Sequence, residues 1–148
     1  MEASPIHAWL VLWKSARAVE AYAHASIREL RLGLSDFAVL EALLHKGPLL
    51  ANEIGKRVLL TSGSVTAAID RLARQELVER RSDPADRRAC FVHLTPKGRN
   101  LIRKAFARHE TDIDELMQVL GSKERAQLVE SLRKLGQTAA ELVERKSN

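Results

Sequence analysis

Apolar residues recur at helical spacing over most of the chain. Between residues 6 and 30 they lie three and four positions apart and form one stripe of Trp9, Trp13, Ala16, Ala23, Ile27 and Leu30. This spacing predicts a long amphipathic helix. A second helix is predicted after Gly33, with Ser35 as its N-cap and Gly47-Pro48 as its end.

The next segment has the pattern of two short helices joined by a tight turn. Leu50, Ile54 and Val58 share one side of the first helix, and helical spacing resumes at Val65. Hydroxyl and small residues separate them in the stretch Thr61-Ser62-Gly63-Ser64. The pattern predicts a helix-turn-helix.

After residue 76 the apolar period changes to two. Residues 77–81 and 89–94 are predicted strands, and the charged loop 82–88 joins them into a β-hairpin. Alternation places Cys90 with Val92 and Leu94 on one face, so Cys90 is expected in the core.

Two further helices are predicted at the carboxyl end. Thr95-Pro96 is a typical helix start, Gly121 ends that helix, and Ser122 caps the last one. The fold class is therefore mainly α with a small β-hairpin.

Composition limits the remaining possibilities. A chain of 148 residues with 45% hydrophobic residues fits one domain with a real core. One cysteine excludes an internal disulfide, and no apolar run reaches the length of about 18 residues that a transmembrane helix needs. The start of the chain lacks a basic leader, so we expect a cytoplasmic protein with no membrane partner.

The positive charge is concentrated in one region. The net charge is +5, yet residues 56–104 alone hold twelve Lys or Arg against five acidic residues. The rest of the chain is slightly acidic, so the positive field belongs to a segment that could face a polyanion. A solvated basic surface is the alternative.

The second helix of the helix-turn-helix has the composition of a DNA-recognition helix. A helix that reads bases in the major groove carries short polar or bidentate side chains and brings its amino end near phosphates. The candidate DNA-binding residues of this segment are Thr61, Ser62, Gly63, Ser64, Thr66, Arg71 and Arg74. In the alternative, this is an ordinary helix whose hydroxyls satisfy its own amides.

The hairpin tip adds Asp86, Arg87 and Arg88 as candidate DNA-binding residues. Two guanidiniums at a protruding tip can bind phosphate or enter a narrow minor groove, with Asp86 holding one of them in place. A solvent-exposed turn with a local ion pair is the alternative.

The order of these parts resembles the MarR family of winged helix-turn-helix regulators. The similarity is carried by the stretches LSDFAVLEALLHKGP, LLTSGSVTAAIDRLARQELVERR and DPADRRACFVHLTPKGRNLI, which look closest to the branch that responds to quinones and related aromatic electrophiles. Leu59 stands where many helix-turn-helix motifs have glycine.

The resemblance implies a homodimeric repressor on a pseudo-palindromic duplex DNA operator. It assigns residues 6–34 and 96–146 to dimerisation helices and residues 35–95 to a DNA-binding lobe, all within one domain. The amphipathic stripes at both chain ends agree with this, since a small core cannot easily cover both. Packing of the two ends within one chain is the alternative.

Members of the family commonly release DNA when a small phenolic or anionic compound binds, or when a cysteine is oxidised. Trp9, Trp13 and Arg17 offer two flat apolar surfaces and a cation, and are the candidate effector-binding residues. The more ordinary role for them is dimer-core packing with a surface arginine. The absence of cysteine from residues 6–30 weakens a thiol-oxidation mechanism.

No catalytic or metal signature is present in the sequence. The five histidines are scattered, and no cysteine pair, His-Glu signature or glycine-rich phosphate loop occurs. We therefore expect neither enzyme activity, nor a cofactor, nor a metal. The competing function is a winged-helix module for protein contact or nonspecific DNA binding.

Overall fold

The computed structural model describes residues 3–58 and 60–147. Within them the chain forms six helices: α1 Pro5–Glu29, α2 Leu34–Lys46, α3 Ala51–Val58, α4 Ser62–Arg74, α5 Pro96–Met117 and α6 Ser122–Ser147. The three strands are β1 Leu49–Leu50, β2 Val78–Ser82 and β3 Cys90–Leu94. The predicted mainly α fold with a β-hairpin is confirmed.

The chain divides into two compact units, residues 1–111 and 112–148. The first unit holds the hydrophobic core, which lies where α2, α3 and α4 meet the sheet and the first half of α5. Its largest fully buried side chains are Leu40, Leu43, Ile54, Ile69, Leu72, Leu77, Ile102, Val39, Val65 and Val92.

A three-stranded antiparallel sheet lies beside these helices in the order β1-β3-β2. The hairpin runs from the pair Val78 and Leu94 to the pair Ser82 and Cys90. Strand β1 pairs Leu49 with Val92. The sequence did not predict β1, because two apolar residues between helices carry no period of their own.

The expectation that Cys90 is buried was wrong. Val92 is 1% exposed, but Cys90, two residues nearer the tip on the same strand, is exposed. Alternation sets the face correctly, but at Cys90 the hairpin has already passed the edge of the helices that cover Val92.

The start of α2 also differs from the prediction. The helix begins at Leu34 with Gly33 in the N-cap position, so Ser35 lies inside the first turn. Its hydroxyl accepts a hydrogen bond from the Arg71 guanidinium at 3.2 Å. Ser35 thus serves a tertiary contact and not the helix end.

The junction between the hairpin and α5 follows the predicted cap. The Thr95 hydroxyl accepts from the Gly98 backbone N–H at 3.0 Å and donates to the Glu76 carbonyl at 2.7 Å. Gly98 lies directly against the Leu77 carbonyl, where an added Cβ would come within 1.9 Å of the oxygen. These contacts hold both ends of the hairpin to the helices.

Both α1 and α6 present apolar side chains to solvent. In α1 the exposed large apolar residues are Ile6, Trp9, Leu10, Val11, Trp13, Val19 and Tyr22. In α6, which has no buried residue, they are Leu128, Val129, Leu132, Leu135, Leu142 and Val143. None of the helices in residues 3–58 and 60–147 has an apolar stretch long enough for a lipid bilayer.

Candidate nucleic-acid interface

Helix α4 presents one face to the core and the opposite face to solvent. Val65, Ala68, Ile69 and Leu72 are buried against the first unit. The solvent face carries Ser62, Gly63, Ser64, Thr66, Ala67, Asp70 and Arg74, all of them exposed. The predicted recognition residues other than Arg71 therefore share one accessible surface.

The amino end of α4 is capped by Thr61. Its Oγ1 accepts from the Ser64 backbone N–H at 3.2 Å and donates to Ser64 Oγ at 2.9 Å. The hydroxyl of Thr61 is thus used within the helix, as the alternative interpretation expected. The Ser64 hydroxyl, which accepts that proton, still has its own proton to donate to an outside acceptor.

Thr66 lies one turn further on, beside an open groove between α3 and α4. Its hydroxyl donates to the Ser62 carbonyl at 3.0 Å, which leaves its lone pairs and methyl group at the surface. The groove is lined by Ala51, Asn52, Gly55, Lys56, Leu60, Ser62 and Thr66. Lys56 was not among the predicted site residues, because its position beside α4 results from the packing of α3 and cannot be seen in the sequence.

Gly63 faces open space. A Cβ added there would meet no atom within 4 Å, and the residue is helical. Glycine is therefore not required by the packing of the protein itself, which agrees with a role in close approach by an external surface.

Arg71, a candidate DNA-binding residue, is already engaged in contacts within the protein. Its Nε and Nη2 donate to Asp36 Oδ1 at 3.2 and 2.7 Å, and Nη2 also reaches Ser35. The hydrogen bonds and charge of Asp36 raise the pKa of Arg71 above its ordinary value. Arg74, one turn later, is exposed and forms no ion pair with any residue that the structure describes.

A second ion pair connects α4 with the hairpin. Arg80 Nη2 of β2 lies 2.5 Å from Asp70 Oδ1, with side chains 41% and 50% exposed. The pair neutralises the one carboxylate on the solvent face of α4, which would otherwise repel a polyanion.

Aspartates shape the hairpin tip through the backbone. Asp83 Oδ1 accepts from the Ala85 N–H at 2.8 Å, and Asp86 Oδ1 accepts from the Arg88 N–H at 3.0 Å. Among the described residues Asp86 holds a turn and not an arginine side chain. Arg87 and Arg88 are exposed and form no ion pair there, so both charges are available.

The predicted effector residues form a ladder on α1. The Trp9 and Trp13 rings are parallel, with centroids 6.1 Å apart and planes inclined by 3°. The Arg17 guanidinium lies 5.6 Å from the Trp13 ring centre. The tryptophans are 55% and 50% exposed, so about half of each side chain is accessible to another molecule.

The described ranges contain no cluster of three or more His, Cys, Asp or Glu residues that could hold a metal ion. The Nδ1 atom of His109 lies 3.1 Å from the Ser26 hydroxyl. Its ring packs nearly perpendicular to the Phe37 ring, with centroids 5.1 Å apart, which is a packing role.

Comparison with known proteins gives one consistent result. The sequence profile of the MarR family matches residues 32–89, which include α2 to α4 and β2. The HTH-type transcriptional regulator MhqR of Bacillus subtilis is 37% identical over 131 residues, which cover 88% of this chain and 90% of MhqR.

Solved structures agree with the sequence matches. BpsR of Bordetella bronchiseptica, described for regulation of its DNA binding by 6-hydroxynicotinic acid, superposes with a TM-score of 0.75 at 29% identity, covering 85% of this chain and 90% of BpsR. A MarR family regulator of Neisseria meningitidis superposes with a TM-score of 0.78 at 22% identity, over 91% of this chain and 95% of its own.

Proposed function

The chain belongs to the MarR family of winged helix-turn-helix transcription regulators, and from that premise we propose that it is a homodimeric repressor released from DNA by a small aromatic ligand. As a member of this family it binds DNA and is not an enzyme. One observation carries the proposal. The hydroxyl-rich face of α4 and the unpaired arginines of the hairpin are exposed on the basic segment of the chain.

We assign base recognition to the amino-terminal half of α4. The major groove of B-DNA admits a helix, and serine and threonine can bond to several base edges while a threonine methyl contacts thymine. Ser64 supplies a hydroxyl proton and Thr66 a hydroxyl and a methyl group. Ser62 and Gly63 lie in the first turn, where backbone N–H groups lack helical acceptors and suit a phosphate.

We assign phosphate and minor-groove contacts to the hairpin, which is the wing of this fold. Arg87 and Arg88 stand on a turn whose backbone is fixed by Asp86. A fixed turn lowers the entropy lost when two long side chains bind DNA, so their charges act at a defined distance from α4. Arg74 extends the positive surface along α4.

The apolar surfaces at both chain ends support the proposed homodimer. Contiguous exposed apolar surface of this kind is characteristic of interfaces, and α1 and α6 each present such a face. We propose that residues 6–34 and 96–146 form the dimerisation helices and residues 35–95 the DNA-binding lobe of a single domain. Two lobes related by a twofold axis require a pseudo-palindromic operator, and a protein bound to the chromosome acts in the cytoplasm.

The tryptophan ladder supports the aromatic effector. A flat ring can pack against the exposed parts of Trp9 and Trp13, and Arg17 can pair with an acidic or phenolate group on the same molecule. The regulation of BpsR by 6-hydroxynicotinic acid, a hydroxylated aromatic acid, is in keeping with this chemistry.

The DNA-binding part is tested by titrating a duplex that contains the promoter of the protein's own gene, with a scrambled duplex as competitor, at two salt concentrations. We expect one dimer to bind the promoter duplex selectively, and affinity to fall as salt rises. Equal binding to both duplexes would leave nonspecific DNA binding, and no binding would favour a protein partner.

The effector part is tested with hydroxylated aromatic acids and quinones. A true inducer binds the DNA-free form more tightly, so it raises the Tm and lowers DNA affinity together. Trp13→Ala should abolish both effects. A compound that stabilises the protein without releasing DNA would argue against an inducer role.

A further inference from the structure

Helix α4 is tied to α2 by an ion pair whose carboxylate is largely buried and whose guanidinium, that of Arg71, is 41% exposed. Asp36 lies in the first turn of α2, and its side chain is only 11% exposed. It receives two hydrogen bonds from the Arg71 guanidinium at one carboxylate oxygen, the shorter of them 2.7 Å. Ser35, its neighbour on α2, receives another from the same guanidinium. Arg71 thus contacts two successive residues of α2.

The remaining contacts between α2 and α4 are apolar. Leu40 and Leu43 of α2 belong to the same buried cluster as Ala68, Ile69 and Leu72 of α4. Apolar packing is non-directional, so it tolerates small slides and rotations better than a hydrogen-bonded pair does. The Arg71 pair is the directional contact of this interface.

The other ion pair of α4 has a different character. Asp70 and Arg80 are both about half exposed, and such pairs are screened by water and salt. The Asp36 carboxylate is shielded, so its charge must be compensated in one geometry. The two pairs differ in their carboxylates, since Asp36 is shielded and Asp70 is not, while the side chains of Arg71 and Arg80 are equally exposed at 41%.

We propose that Arg71 is a positioning residue, which fixes the rotation of α4 on α2 through Asp36, and that it does not itself bind DNA. This rests on the proposed base recognition by α4. A rotation of α4 would move Ser64 and Thr66 relative to the base edges, while Arg74 and the wing would still find phosphates. Arg71 therefore affects how well the protein discriminates between DNA sequences. It does not add to the number of phosphates that the protein neutralises.

The test uses the full-length protein and a duplex selected by the wild type from a random pool. Dissociation constants are measured on the selected and a scrambled duplex at four salt concentrations. The variants are Arg71→Ala, Asp36→Asn and the neutral pair Asp36→Asn with Arg71→Gln. Lys46→Gln, which removes an exposed charge at the far end of α2, is the control for the loss of a charge.

We expect Arg71→Ala and Asp36→Asn each to reduce the ratio of scrambled to selected dissociation constants about tenfold. This is comparable to the cost of one mismatched base pair. The salt slope on scrambled DNA should remain that of the wild type in all these variants. Arg74→Ala should instead lower that slope by about 0.9 for each phosphate that the variant no longer neutralises. The control Lys46→Gln should leave both the ratio and the slope unchanged.

The neutral pair covers the case in which Arg71→Ala fails to fold. It leaves no buried charge without a partner, and two amides can still hydrogen-bond. Its salt slope should match the wild type, whereas a slope reduced as in Arg74→Ala would overturn the proposal and place Arg71 on a phosphate. An unchanged discrimination ratio in both Arg71→Ala and Asp36→Asn would overturn it too. If the wild type selects no sequence from the pool, the proposed base recognition by α4 is refuted, and not only the role of Arg71.

Discussion

At the residue scale, the wing arginines combine exposure with the lack of an ion-pair partner among the described residues. Arg88 and Arg87 differ in this from Arg80 and Arg81, which pair with Asp70 and Glu79. A guanidinium already bound to a carboxylate must release it before it binds phosphate. Arg87 and Arg88 have no such carboxylate among the described residues, so we expect them to contribute most to the electrostatic part of DNA binding.

Arg88→Ala should weaken binding to all duplexes and lower the salt slope by about 0.9 for each phosphate that the variant no longer neutralises. Anisotropy titrations over a salt series measure both quantities. Lys123→Ala in α6 removes the same charge from an exposed position outside the basic segment and should change neither. An Arg88→Ala slope equal to that of Lys123→Ala would contradict the wing assignment.

Ser64 and Thr66 carry the proposed sequence preference. Ser64→Ala and Thr66→Val remove hydrogen-bonding groups from the exposed face of α4 and keep the size of the side chain close to the original. We expect the preferred bases at one or two positions to change, with about 1–3 kcal/mol lost per position on the wild-type operator. Selection from a random duplex pool measures these preferences. If both variants select the same bases as the wild type, the two contacts are ruled out.

Cys90 supplies a direct check of the wing. Because its side chain is exposed, a maleimide should label the native protein at a rate close to that of the unfolded chain. Mass spectrometry of timed samples in buffer and in denaturant gives the two rates. Labelling that is hundreds of times slower in the native protein would mean that the thiol is buried, as the strand alternation alone suggested.

At the element scale, one close backbone contact joins α5 to the start of the hairpin. Gly98 meets the Leu77 carbonyl at a distance that leaves no space for a Cβ, while Gly136 in α6 meets nothing within 4 Å. Both glycines lie within helices, but their surroundings differ. The contact at Gly98 sets how the wing leaves the body of the protein.

Gly98→Ala should lower the free energy of unfolding by about 1–3 kcal/mol or more, since backbone must shift to admit the methyl group. Gly136→Ala should raise it by about 0.5–1 kcal/mol, because alanine favours the helix and the site is open. Thermal or denaturant unfolding of both variants measures the difference. Destabilisation at Gly136 equal to that at Gly98 would show that helix propensity is not the controlling factor in α6.

At the scale of the whole molecule, the apolar faces of α1 and α6 are the basis of the proposed dimer. A monomer in water would leave Trp9 and Trp13 about half exposed and α6 without a buried residue. Burial of apolar surface contributes roughly 25 cal/mol per Å². The proposed dimer would bury this surface, so we expect association to be favourable.

Leu135→Glu places a charge within the apolar stripe of α6 and should dissociate the proposed dimer. Sedimentation velocity is expected to show a dimer for the wild type and a monomer or a concentration-dependent mixture for the variant, with operator affinity falling sharply. Glu141→Gln in the same helix is the control, since it adds no charge to the stripe. A monomeric wild type that still binds the operator tightly would refute the dimer.

The elements were predictable from sequence where the signal is local. The helix stripes, the Thr61 cap before α4 and the Thr95-Pro96 start of α5 depend on residues within one or two turns of each other. Strand β1 was missed, because Leu49 and Leu50 become a strand only by pairing with β3. The burial of Cys90 was predicted wrongly, because alternation gives the face of a strand and not where its cover ends.

The sequence by itself determined the order of elements, the concentration of charge in residues 56–104 and the surface character of α4, since these follow from spacing and residue type along the chain. Only the tertiary structure decided which arginines are free. Arg71 and Arg74 lie one turn apart on the same helix, yet Asp36, 35 residues before Arg71, binds the first and leaves the second exposed. Ion pairing depends on distances in space, which no local pattern records.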